Sequence, residues 1–134
     1  MSMIFGGHII DSNSGRHQLE VVVDPEEFVV RDVLSFISER SGVITMRRQL
    51  ECEGQPYELV LYVESGNFLL MLSEYGSEGE HDVRTLTALN SKNEFVSILG
   101  DMYSVRSVTR DLELVYTVFI EFARTGNVSK DTMA

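Results

Sequence analysis

Few residues in this sequence have types and spacing suited to chemistry. The three histidines, His8, His17 and His81, stand far apart, and only Glu78-Gly79-Glu80-His81-Asp82 gathers several metal-ligating types in one run. That run lacks the helical i, i+4 spacing that fixes ligand geometry, and a structural metal centre needs about four defined ligands. No metal is expected there. Cys52 is the only cysteine and sits between Glu51 and Glu53. Flanking carboxylates disfavour the thiolate, so it reads as a packing residue and a poor nucleophile. Gly6-Gly7 lacks both the spacing of a phosphate loop and a helix directly after it, which leaves a conformational role. No serine lies in a Gly-x-Ser-x-Gly elbow, and no carboxylate pair has a context that separates a general acid from a surface charge. A hydrolase using His81 with its acidic neighbours is the one catalytic reading left, and nothing else in the sequence supports it. The expectation is a chain that is not an enzyme and needs no cofactor.

Charge says more. The 134 residues carry 21 acidic and 11 basic side chains, a formal net charge of −10. Such a surplus disfavours nucleic acid and anionic membrane, which reward Lys and Arg, and favours a basic protein partner. Between Glu51 and Asp82 stand eight acids (Glu51, Glu53, Glu58, Glu64, Glu74, Glu78, Glu80, Asp82) and no Lys or Arg. A stretch of one sign raises the electrostatic energy of a folded domain, and a partner's basic groups would relieve it. Those eight acids, with Tyr57 and Tyr75 as aromatic anchors, form the expected partner-binding surface.

The elements that would position these groups follow from composition. The length suits one domain, and a hydrophobic share of 43% with seven Phe and five Tyr supplies a core. No run approaches the ~18 apolar residues of a membrane span, and a lone cysteine gives no disulfide framework, so a cytoplasmic location is expected. Residues 3–11 and 17–23 read as a hairpin around Ser12-Asn13-Ser14-Gly15-Arg16. Asp24-Pro25-Glu26-Glu27 has the N-cap, N1 and N3 pattern of a helix start. Val29, Val30, Val33, Leu34 and Ile37 then make an apolar face about four turns long, with Gly42 as the stop.

Strands follow over 42–52, 57–64 and 67–75, the last two joined by a tight turn at Ser65-Gly66. Their apolar residues fall on both alternating sets, which places them centrally with cover on both faces. A further strand fits 82–89, and a short pair fits 95–99 and 102–108 around Gly100-Asp101. The final helix opens near Thr109 with Asp111 and Glu113 in its first turn, and it stops at Gly126. The sum is an α+β fold: a mainly antiparallel sheet of six to eight strands covered by two main helices, over residues 1–126, with 127–134 as a polar tail.

The run from Asp24 to Ile37, the segment Val105–Asp111 and the helix end from Phe119 through Gly126 to Ser129 resemble small immunity proteins of bacterial polymorphic-toxin and contact-dependent growth inhibition systems. The resemblance takes in Gly6-Gly7 and the order of elements, and so spans nearly the whole chain. Phe28 is a departure, standing where such proteins often carry Trp. The resemblance implies that the chain neutralises the C-terminal toxin domain of a sibling cell by blocking its active site or its access to substrate. The implied toxin is a basic nuclease, against which an acidic surface mimics phosphate charge. The alternative is a non-catalytic cytosolic adaptor or regulatory domain that binds another basic protein.

Overall fold

The computed structural model describes residues 1–13, 15–50, 54–76, 78–87 and 92–134. Eight antiparallel strands form one sheet, and two helices lie across one of its faces. In chain order the strands are β1 (Met3–Asp11), β2 (Gly15–Gln18), β3 (Val22–Val23), β4 (Ser41–Arg48), β5 (Pro56–Glu64), β6 (Asn67–Tyr75) and β7 (His81–Thr85), with β10 (Val108–Thr109) completing the sheet. Strands β1, β4, β5 and β6 are neighbours in that order; β2 and β3 both pair with the outer side of β1, and β7 and β10 with the outer side of β6. A separate hairpin, β8 (Phe95–Ile98) and β9 (Asp101–Ser104), packs against β5. Helices α1 (Glu27–Ile37) and α2 (Leu112–Thr125) pack together.

Register explains the core. Leu59, Leu61 and Val63 of β5 pair with Leu72, Leu70 and Phe68 of β6, while Met46 and Ile44 of β4 pair with Leu59 and Leu61 and with Phe5 and Gly7 of β1. These side chains share one face, and the apolar ones are buried beneath Val30, Leu34 and Ile37 of α1 and Val115, Val118, Phe119 and Phe122 of α2. Phe5 and Phe119 meet edge to face at 6.2 Å. At Gly7 the backbone of β4 comes close: Gly7 holds φ +151°, and a Cβ there would run into the Val43 carbonyl and the Ile44 Cα at 2.9 Å. Only glycine fits that combination of backbone angle and approach.

On the opposite face, Leu69 is fully buried and Val60 nearly so, with β8 against this side of β5. The central strands are covered on both faces, as their unbroken apolar composition predicts. Both tight hairpins use paired left-handed residues, Ser65-Gly66 at φ 51° and 78° and Leu99-Gly100 at φ 53° and 91°. That geometry matches strand twist. The second turn therefore falls one residue before the Gly100-Asp101 position expected from sequence, because Gly100 takes the second left-handed site and leaves the first to Leu99. The Leu99 amide is held by Glu64 Oε1 at 2.9 Å.

Three boundaries differ from expectation for tertiary reasons. Asp24 does not cap α1: it adopts φ 49°, and its carboxylate accepts from the Met3 amide at 2.8 Å and the Ser2 hydroxyl at 3.0 Å. The helix starts at Glu27 behind an N-cap without a side-chain hydrogen bond and runs 11 residues, short of four turns. Gly42 lies inside β4 and stops nothing, since Ser41 already pairs with Ile10. Residues 127–134 are no tail: Val128 and Met133 are buried, and Leu86 bridges Met133. By contrast α2 has the expected ends, with Asp111 accepting from the Glu113 and Leu114 amides and Gly126 closing the helix at φ 75°.

Candidate functional site

Strands β5, β6 and β7 end together at one edge of the sheet, and the aromatic and acidic groups converge there. Tyr57 and Tyr75 stack with centroids 4.7 Å apart and planes at 21°. His81, paired with Tyr75 across the β6–β7 ladder, closes the cluster at 5.8 Å from Tyr57 and 6.0 Å from Tyr75. Its Nε2 and the Tyr57 hydroxyl share a hydrogen bond of 2.5 Å. Tyr57 reaches this position because register shifts between Pro56 and Glu58, a bulge that re-aims one side chain at the strand end. The tyrosines are half-buried and His81 is exposed.

The acids divide into groups with different duties. Glu58 pairs with Ser73, two residues before Tyr75, and so shares the face of the aromatic cluster. Glu78 and Glu80 lie in the β6–β7 loop, and Asp82 follows His81; all three are exposed. Glu80 also shapes its loop, accepting from the Glu78 amide at 3.0 Å, while its carbonyl accepts from Gly76 at 2.7 Å. Glu58, Glu78, Glu80 and Asp82 form no ion pair among the described residues. Glu51 and Glu53 lie outside the described residues, as does Cys52.

Two predicted contact acids are placed elsewhere. Glu64 sits at the far end of β5, about 20 Å from Glu58 at ~3.3 Å per residue, with its carboxylate on the Leu99 amide. Glu74 turns toward the helix-covered side, where Arg84 lies 3.6 Å away. Arg84 is only 7% exposed and Glu74 22%. The guanidinium also donates to the Met133 carbonyl at 3.0 Å, Asn127 Oδ1 at 3.0 Å and the Val128 carbonyl at 2.5 Å. Glu74 therefore has an internal counterion just beyond the basic-free stretch, and it serves the fold. The pairing joins residues distant in sequence to Arg84.

A nearby pocket of about 510 Å³ is lined by Met1, Ser2, Arg48, Gln49 and Leu50. Arg48 in this lining is engaged by the Pro56 and Gly126 carbonyls at 2.8 and 3.1 Å. His8 lies on the open face of β1, its pKa lowered by burial and by the nearby Arg16 charge. His8 on β1 and His17 on β2 lie across the sheet from His81 on β7. None of the helices among the described residues is long and apolar enough to cross a membrane.

The profile of a family of unknown function, DUF6911, matches residues 2–132. The chain belongs to this family. The DUF6911 match reaches through the segment tied down by Arg84. A crystal structure of a hypothetical protein from Neisseria gonorrhoeae is similar to this DUF6911 chain, with a TM-score of 0.86 over 96% of this chain and 90% of that one. At 24% identity the likeness is one of fold. No curated protein matches the sequence.

Proposed function

We propose that the chain is an immunity protein that neutralises a cognate toxin domain, a basic nuclease, by covering its active site or substrate path with the acidic end of the sheet. The observation that carries the reading is the Tyr57–Tyr75–His81 cluster beside Glu58, Glu78 and Glu80, acids that form no ion pair among the described residues, with Asp82 on the Glu74 side of the same sheet end. Aromatic anchors ringed by charge are the composition of a protein–protein hot spot. A net charge of −10 adds attraction to a basic partner at long range. The chain is proposed to act by contact, with no catalysis of its own, in the cytoplasm.

Co-expression with the toxin domain encoded directly upstream tests this reading. The wild-type chain rescues growth, and the triple variant Glu58→Lys, Glu78→Lys, Asp82→Lys loses rescue while keeping its thermal midpoint. Glu74 and Glu80 stay out of that set, because one pairs with Arg84 and the other shapes its loop. Association with the purified toxin slows as salt rises, since charge steering is screened over ~8 Å at physiological ionic strength. Full rescue by the triple variant together with a salt-independent on-rate would reject the acidic end as the contact surface. Binding to a housekeeping protein without toxin rescue would favour the adaptor reading.

A further inference from the structure

We propose that the Tyr57–Tyr75–His81 cluster is a receptor for an arginine side chain of the partner, with the guanidinium lying against the aromatic group and its N–H fork directed to the flanking carboxylates. The proposal deepens the immunity reading and rests on it for the partner's identity. Stacked tyrosines at a sheet rim contribute little to the core: neither belongs to the buried cluster that joins the sheet to α1 and α2. They are nonetheless held in place. The bulge at Pro56/Glu58 aims Tyr57, the ladder sets Tyr75 opposite His81, and the hydrogen bond between His81 and Tyr57 links the outer ring edges.

The electrostatics select the occupant. An aromatic face carries negative quadrupole density and attracts cations, and the carboxylates of Glu58, Glu78 and Glu80 attract the same sign, outnumbering Arg47, which stands opposite Glu58 across β4 and β5. Lysine would satisfy charge alone. Arginine also satisfies shape, because its planar guanidinium stacks on a ring and can bind a carboxylate in bidentate fashion, which a compact ammonium cannot. The molecule itself shows the same chemistry elsewhere: the Arg31 guanidinium lies 3.9 Å from the Tyr116 ring centroid while its N–H groups bind Glu113 at 2.8 and 3.3 Å.

The test uses the full chain and two matched peptides, four Gly-Arg repeats and four Gly-Lys repeats, titrated at low ionic strength. Calorimetry gives affinity, and tyrosine ring resonances report the location. The arginine peptide is expected to bind about two- to fivefold tighter, because planar stacking and bidentate pairing add to the ring attraction that both cations share. It should shift the Tyr57 and Tyr75 rings. The double variant Tyr57→Leu, Tyr75→Leu should bind both peptides equally, while Tyr57→Phe, which keeps the ring, should keep the preference. Equal affinities in the wild type, or a preference that survives the double leucine variant, would overturn the arginine receptor. Toxin rescue is scored separately on the same variants. Rescue by a wild type with no arginine preference sinks the receptor and leaves the immunity reading standing, whereas preference without rescue does the reverse.

Discussion

The two faces of the sheet are built from the same strands and assigned opposite work. On the helix-covered face, Phe5, Ile44, Met46, Leu59, Leu61, Leu70 and Leu72 are sealed from water, and the buried cation Arg84 is spent on internal carbonyls and Glu74. On the opposite face, beyond the part that β8 covers, polar and aromatic groups are half-exposed, and the acids at its Tyr57 end form no ion pair among the described residues. Burial and satisfaction of polar groups, not residue type, separate a charge that holds the fold from one available to a partner. Glu74 and Glu78 are alike in sequence context and differ entirely in this respect.

Substitutions can break or sharpen that contrast. The largest effect is expected at Phe119, whose ring fills the space between α2 and Phe5. Phe119→Ala should cost about 4 kcal/mol of unfolding free energy in a denaturant titration. Next is Arg84→Met, which strands two carbonyls and the Glu74 carboxylate; about 3 kcal/mol should be lost, with amide exchange accelerating first around Val128 and Met133. Equal stability of this variant would mean that Glu74 is as free as its neighbours, and the contrast would collapse. Glu64→Ala should cost about 1 kcal/mol by releasing the Leu99 amide in its left-handed turn, with faster exchange confined to the β8–β9 turn.

The smallest effect concerns Asp24, whose carboxyl is held below its ordinary pKa chiefly by the Met3 amide, with help from the Ser2 hydroxyl. A carboxyl with a depressed folded-state pKa stabilises the protein above its unfolded pKa, and that contribution fades as pH falls through the depressed value. The thermal midpoint of Asp24→Asn should therefore lie below wild type at neutral pH, and the gap should close under acid conditions.

Much of the fold was legible because its signals are local. Asp111 and Gly126 delimit α2 by cap chemistry, Ser65-Gly66 sets a hairpin, and period-two apolar runs mark β5 and β6. What stayed hidden depends on distant groups. Asp24 has every local mark of a helix cap, yet the Met3 amide, 21 positions earlier, claims its carboxylate. Val128 and Met133 are too sparse in a polar segment to announce burial, and only Arg84 explains why that segment docks. For the candidate site, the sequence located the tyrosines and the acidic loop but could not show that His81 joins them, since that contact spans 24 residues and two strand pairings. It also counted Glu64 and Glu74 with the others, because one-dimensional charge density does not say at which end of the folded strand a residue falls, as for Glu64, or on which side, as for Glu74.

The alternation that separates Glu74 from Tyr75 makes the site dependent on a turn it never touches. Tyr75 lies about 27 Å along β6 from Asn67 at ~3.4 Å per residue, yet the pairing of Asn67 with Glu64 across the Ser65-Gly66 turn decides which way every β6 side chain points. A single residue added to that turn would invite a slip of register, turning Glu74 toward solvent and Tyr75 into the helix interface. The length of a two-residue loop is thus a remote control on recognition, and an insertion there could abolish binding without altering any residue of the binding surface.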